Sequence, residues 1–477
     1  MVLLPYFCRL QKTMFNHLNQ FTNRGKLLPL LFLAVLPFHA FSQEDTDTTT
    51  INVIPPPVPI PSSKRFNLHF QTTYIYQYKP EFDAQYSGKN SLKTAEDKEN
   101  SITATLYFGA KLWKGAELYI NPEVAGGSGL SGAYGLAAST NGETFRIGDP
   151  APALYLARGY FTQTIPLADK FPEDYTDIQE GANETGGMKP DNYLKFYIGK
   201  MSLGDIFDNN AYSNSPRTQF MNWCLMNNGA WDYAANLRGY TDAFATVLQL
   251  GAMTYKAALA ALPVVANGME LNTNLSREYS INAEVDRSFK LNGKPGNIRL
   301  LGYYNNGHMG NYNQALQYVT FLPDLILSRE YGRTKTGFGL SADQQLNNYL
   351  GVFLRAGWND GQNETWCFTE ADQSLSAGLA INGSAWKRKD DKLSFAMVIN
   401  GLSQSHRNYL AAGGLGFQLG DGTLTYANET AAEFYYSLKP FLHGIWLTGD
   451  YQFIINPGYN KDRGPVNVFS FRVHVEL

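Results

Sequence analysis

Residues 66 to 79 read FNLHFQTTYIYQYK, and the alternation in that stretch decides the fold. Phe66, Leu68, Phe70, Thr72, Tyr74, Tyr76 and Tyr78 fall on one face of an extended chain. Asn67, His69, Gln71, Thr73, Gln77 and Lys79 fall on the other, with Ile75 the one exception. Successive side chains of a strand point to opposite faces, so period two predicts a strand rather than a helix. Soluble strands average about five or six residues, whereas a tilted strand needs about 9 to 11 to cross a bilayer. A run of this length predicts a membrane-crossing strand with an apolar face toward lipid.

The pattern recurs along the chain. Ile102, Ala104, Leu106, Phe108, Ala110 and Leu112 alternate with Ser101, Thr103, Thr105, Tyr107 and Lys111. Leu350, Val352, Leu354, Ala356 and Trp358 oppose Arg355 and Asn359, which places Leu354 toward lipid and Arg355 toward the interior. Phe469, Phe471, Val473, Val475 and Leu477 oppose Ser470, Arg472, His474 and Glu476. Strands are expected near 66–79, 101–113, 116–125, 153–164, 192–201, 238–249, 253–262, 278–289, 297–306, 333–346, 350–359, 373–382, 392–401, 430–438, 444–455 and 466–477. That even count, with short connections such as Lys114–Gly115 alternating with long ones, predicts an all-β, sixteen-stranded antiparallel transmembrane barrel with both termini periplasmic. The segment 165–190 is too long for a periplasmic turn and fits this scheme poorly. A terminal apolar strand is how such barrels finish, and the barrel assembly machinery is the expected reader of that strand; Leu477 stands where most have Phe.

Composition agrees. Charged residues are 17% of the chain, against about 25% for ordinary globular proteins. Aromatics reach 14%, with 30 Tyr and 29 Phe, and 44 Gly accompany them. Beyond the first 45 positions no apolar run is long enough for a spanning helix. The nearly balanced charge offers no basic stripe and excludes nucleic acid as a partner. A β-sandwich or propeller would need shorter strands.

The N-terminus sets the compartment. Arg24 and Lys26 precede the apolar stretch LLPLLFLAVLPFHAF (27–41), and Ala40, Phe41 and Ser42 form a small-x-small cleavage signature. Residues 1–42 are therefore expected to be a signal peptide, with Met14 an alternative start, and cleavage near Ser42. Loss of Arg9, Lys12, Arg24 and Lys26 leaves 35 basic and 42 acidic residues, a mildly acidic mature chain. Residues 43–64, acidic and then Pro-rich, are expected to be an extended periplasmic leader, and 65–477 the barrel. The expected location is the Gram-negative outer membrane, with its lipid as the surrounding partner.

Several long blocks also carry a family likeness. GAELYINPEVAGGSGLSG (115–132), FRIGDPAPALYLAR (145–158), FDNNAYSNSPRTQFMNWCLMNNGAWDYAANLRGYT (207–241), RAGWNDGQNETWCFTEAD (355–372) and HRNYLAAGGLGFQLGDG (406–422) are among them. So are the first strand with its flank (66–82), YGRTKTGFGL (331–340) and YQFIINPGYNKDRGPV (451–466). Together they resemble the carbohydrate-selective porins of the OprB family over nearly all of 66–477. The resemblance implies a sixteen-stranded barrel passing sugars by diffusion, with a third loop folded inward.

Sugars present hydroxyls that donate and accept, together with an apolar ring face, so a selective lumen wants charged and amide side chains beside aromatic faces. Loop 203–237 supplies that mixture, and its candidate constriction residues are Asp205, Asp208, Asn209, Asn210, Tyr212, Arg217, Gln219 and Trp231. Arg217 is expected to donate to sugar hydroxyls and Trp231 to stack on the ring. Inward strand positions Lys195, Arg299, Arg355, Glu433, Asp450 and Arg472 are the candidate lumen wall. The alternative reading, a barrel enzyme or glycan-binding surface protein, finds little support. Gly127, Gly129 and Gly132 match a dinucleotide fingerprint without the required helix. Glu284 and Asp286 share a face but have only spacing to recommend them as an acid–base pair. Ser470 and His474 stand about 13 Å apart along one strand, too far for a dyad, although His69 could neighbour the last strand across the seam. No metal-ligand spacing and no cofactor motif emerge. Cys224 and Cys367 fall in outward loops, where a disulfide and two free thiols are equally compatible. Both a monomer and a homotrimer fit the pattern.

Overall fold

The computed structural model describes residues 65–144, 151–167, 174–317, 322–440 and 443–477. The expected signal peptide and leader lie outside the described residues. The strands are, in chain order, β1 (Phe66–Lys79), β2 (Asp97–Trp113), β3 (Ala116–Gly127), β4 (Ala153–Pro166), β5 (Tyr175–Gly181) and β6 (Glu184–Pro190). There follow β7 (Tyr193–Met201), β8 (Thr241–Leu250), β9 (Met253–Ala260), β10 (Tyr279–Leu291), β11 (Lys294–Met309) and β12 (Glu330–Gln345). The last are β13 (Leu350–Asn359), β14 (Gln373–Asn382), β15 (Lys392–Gly401), β16 (Glu429–Leu438), β17 (Ile445–Ile455) and β18 (Val466–Glu476).

Sixteen of these close one antiparallel barrel; β5 and β6 pair only with each other, so β4 joins β7 directly. β1 and β18 pair from Gln71 opposite Glu476 to Tyr78 opposite Phe469. Phe70 and Leu477 extend the seam by exchanging backbone hydrogen bonds of 2.9 and 2.8 Å. A closed seam leaves no row of unpaired N–H and C=O groups, which is the condition for a sheet to sit in hydrocarbon.

Facing follows the alternation read from the sequence. On β13, Leu354 is 41% exposed and its neighbour Arg355 is 1% exposed. Phe66, Leu68, Tyr74 and Tyr76 point outward from β1, whereas Asn67, Thr73, Gln77 and Lys79 are buried inside, as is the exception Ile75. The outer surface of Leu68, Ile198, Phe338, Leu354, Phe469 and their kind would aggregate in water and is at home in lipid.

Turn chemistry pins the register at the short-turn end. Asn292 and Gly293 both have positive φ (50° and 74°), the demand of a two-residue primed turn, and join β10 to β11. At Gly115, between β2 and β3, φ is 77° and an added Cβ would lie 2.1 Å from the Thr164 carbonyl oxygen, so only glycine fits. Pro122, which has no N–H to give, sits where the β3–β4 register shifts.

The structure departs from the expected strands in two ways. β2 begins at Asp97 instead of 101, β11 runs on to Met309 and β12 starts at Glu330. The β2 extension, Asp97 to Asn100, is polar on both faces, and those of β11 and β12 are only three residues each, so alternation could not reveal them. Within the awkward segment 165–190, residues 175–190 form the β5–β6 hairpin, and it accounts for length that a plain turn could not. At the other end, the long connections pack on one another: Tyr312, Leu325, Leu402, Tyr409, Leu419 and Tyr459 belong to an apolar cluster separate from the main one. Part of this cap is a helix, Gln404–Ala411, opened by Ser403, whose Oγ accepts from the His406 N–H at 3.1 Å.

Candidate pore constriction

The connection between β7 and β8 folds into the barrel, and its backbone is fastened by charged residues of the wall. Arg355 donates to Asp208 Oδ1 at 2.9 Å, to the Asp208 carbonyl at 3.2 Å and to the Leu225 carbonyl at 2.8 Å. Arg472 donates to the carbonyls of Pro216 (2.6 Å) and Gln219 (2.8 Å). Glu433 accepts the N–H groups of Met221 (2.5 Å) and Asn222 (2.9 Å), and Glu284 accepts that of Asp208 at 2.8 Å. An irregular loop in an interior has to satisfy its backbone groups, and these wall side chains do so.

The expected site residues therefore divide. Of the wall set, Arg355, Glu433 and Arg472 are loop clamps, and Asp450 is buried beside Glu433 and Arg472. Arg299 pairs with Asp343, and Lys195 lies 3.7 Å from Glu117. Of the loop set, Asp208 and Asn210 are buried anchors, the latter donating to Ser341 Oγ at 3.1 Å. Tyr212 packs over Gly351, and Gln219 closes a local turn by accepting the Asn214 N–H at 2.6 Å. Asn209 is exposed, within 3.3 Å of the Asn214 amide. Trp231 is 3% exposed, donates its indole N–H to Asn282 at 2.9 Å and packs on Tyr233 and Phe207, so no ring face is left for a solute. Of that set, Asp205 and Arg217 line an open cavity.

That space is a cavity of about 310 Å³ between the inward loop and the β1–β4 wall. Arg217 dominates it. Its Nε donates to Glu143 Oε2 at 2.8 Å, Nη2 to Glu123 Oε2 at 2.8 Å, and Nη1 to Thr105 Oγ1 at 2.9 Å and Tyr107 Oη at 3.2 Å. The guanidinium is thus flanked by two carboxylates and fixed in one plane. Across the cavity, Arg158 grips Asp205 with two bonds of 2.6 and 2.8 Å. Arg238, Trp223, Tyr233 and Tyr240 also line it. Glu123, Glu143, Arg158, Tyr233, Arg238 and Tyr240 were not among the residues singled out. Glu123 and Arg158 lie in quoted blocks at inward positions of β3 and β4, but nothing in period two distinguishes a cavity position from a clamp.

The decoys resolve structurally. Glu284 and Asp286 both bind Lys256, at 2.8 and 2.6 Å. Ser470 Oγ accepts from Gln77 at 3.0 Å, and His474 Nδ1 meets Thr73 Oγ1 at 2.8 Å. Gly127 to Gly132 enter a single turn of 3-10 helix. Cys224 and Cys367 are free and buried.

Residues 89–477 match the family model described as carbohydrate-selective porin, OprB family. Among solved structures, the fold is similar to Pseudomonas putida OprB at high pH, with a TM-score of 0.64 and 16% identity over 86% of this chain and 94% of that one. The low-pH structure of P. putida OprB gives 0.47 and 13%, over 86% and 92%. The Acinetobacter baumannii outer membrane channel DcaP gives 0.44 and 10%, over 86% and 97%. A search among curated proteins gave no match. With the family model spanning most of the sequence on a closed sixteen-stranded barrel, the chain belongs to the carbohydrate-selective porins of the OprB family: it is an outer-membrane channel for the diffusion of sugars, not an enzyme.

Proposed function

We propose that solute crosses at the Arg217 cavity and that the favoured cargo is a small neutral sugar. The observation that carries this reading is the pairing of charge. Arg158, Arg217 and Arg238 face Glu143 and Asp205, with Glu123 directly behind Arg217, so three cations meet three anions. Such a surface gives a neutral polyol both donors and acceptors while offering a net ion little attraction. Trp223, Tyr233 and Tyr240 add apolar edges for the sugar ring. A cavity of about 310 Å³ is at the small end of ligand sites, which suits one or two sugar rings at a time. Because diffusion requires exit as well as entry, each contact is weak.

Arg217→Ala tests the reading. It should change sugar flux into liposomes severalfold and, by uncovering Glu123 and Glu143, move the reversal potential in a salt gradient toward cations. Unaltered flux and unaltered ion preference would place the path elsewhere. Export belongs to the same proposal: residues 1–42 direct secretion and are removed near Ser42, which the mass of the mature chain checks, and β18 is the strand presented to the assembly machinery, which substitutions of Phe469 and Phe471 check through barrel yield.

A further inference from the structure

Three turns at the short-turn end use two residues each, at Lys114–Gly115, Gly251–Ala252 and Asn292–Gly293. The connection between β4 and β7 at that same end instead carries the β5–β6 hairpin, paired from Tyr175 opposite Pro190 to Gly181 opposite Glu184. Seven residues per strand reach about 23 Å, a large part of the height of the apolar band.

The hairpin is held inside the barrel. Asn67 of β1 donates to the carbonyls of Gly181 at 3.0 Å and Glu184 at 2.8 Å. Lys111 of β2 donates to the Gly186 carbonyl at 2.7 Å. Glu117 of β3 accepts from both Thr185 and Lys189. All three anchors are inward-facing. Space is made for them: a Cβ on Gly109, opposite Asn67 in the register, would overlap the Asn67 amide oxygen at 2.0 Å. At the tip, Ala182 and Asn183 border the same cavity as Arg217. Asp177, Ile178 and Gln179 are exposed inside the barrel. Residues 175–190 hold Asp177, Glu180 and Glu184 against Lys189 alone, an acidic element below an arginine-lined cavity.

We propose that the β5–β6 hairpin is a second selectivity element of this pore, placed so that every solute leaving the Arg217 cavity passes its tip and then its acidic strand, which disfavours anionic solutes such as sugar acids. It narrows the periplasmic half of the path, as loop 203–237 narrows the outer half. The proposal rests on the path running through the Arg217 cavity.

The decisive experiment places a thiol at the tip. Ala182 is exposed, the native Cys224 and Cys367 are buried, and Cys8 lies in the expected signal peptide, so in the processed chain of Ala182→Cys a negatively charged methanethiosulfonate reagent reports on position 182. Added to open single channels, it should cut the current severalfold, and Asp177→Asn should shift the reversal potential toward anions. Replacing 176–189 by Asn-Gly should raise conductance about twofold if the variant folds. The proposal is overturned if Ala182→Cys does not label, or labels without changing current, while Arg217→Ala still alters sugar flux. If Arg217→Ala is also silent, the failure is that of the path itself.

Discussion

At the scale of single residues, period two reads facing well and role poorly. Leu354 and Arg355 were placed on opposite faces by alternation, and they are. Alternation also suggests that Arg355 is an interchangeable lumen charge, whereas it clamps the inward loop through Asp208 and Leu225. Lipid-side charge near mid-depth costs about 2 to 4 kcal/mol, so Leu354→Arg should lose most of its folded, heat-modifiable form. Arg355→Leu should keep the barrel but leave Asp208 short of its buried partner, a change that costs about 3 to 5 kcal/mol where pairs are broken in this way. That cost falls on the loop, so the expected result is a normal yield with noisy, raised single-channel current. Equal yields for the two variants, or a quiet Arg355→Leu channel, would contradict this division. Trp231 and Trp223 teach the same lesson: both are loop tryptophans, and only packing decides that Trp223 borders the cavity.

At the scale of elements, the barrel strands were legible because each has one apolar face over many residues. The polar extension of β2, the short extensions of β11 and β12 and the β5–β6 hairpin were not. The hairpin sits in the water-filled interior, so neither of its faces needs to be apolar, and Gly186 and Gly187 interrupt whatever alternation remains. The inward loop was legible as a segment from its length and its aromatics, but its fastening was not, because its partners lie as far as β16 and β18 in the sequence. Since Arg355, Arg472, Glu433 and Glu284 all bind this loop, it should behave as a rigid constriction. Replacing residues 205–235 by a short glycine-serine link should widen the pore, raise conductance and erase discrimination between sugars of equal size. Unchanged conductance and preference in that variant would mean that the loop does not limit flux.

At the scale of the molecule, sixteen strands close the barrel, and the proposed path runs on one side of the lumen, where β1 to β4 face the inward loop. The other side is occupied by clamps and aromatic packing, including Phe220 against Phe353 and Tyr435 with ring centroids 5.7 and 5.1 Å apart. A pore with balanced charge at that cavity should favour uncharged sugars. The direct measurement is liposome swelling with the purified mature protein, comparing a neutral hexose with the sugar acid of the same size at matched osmolarity. Swelling well above empty liposomes with the hexose, and severalfold slower with the acid, is the result predicted here. Equal rates for both solutes, or no swelling from a barrel shown to be folded, would contradict it.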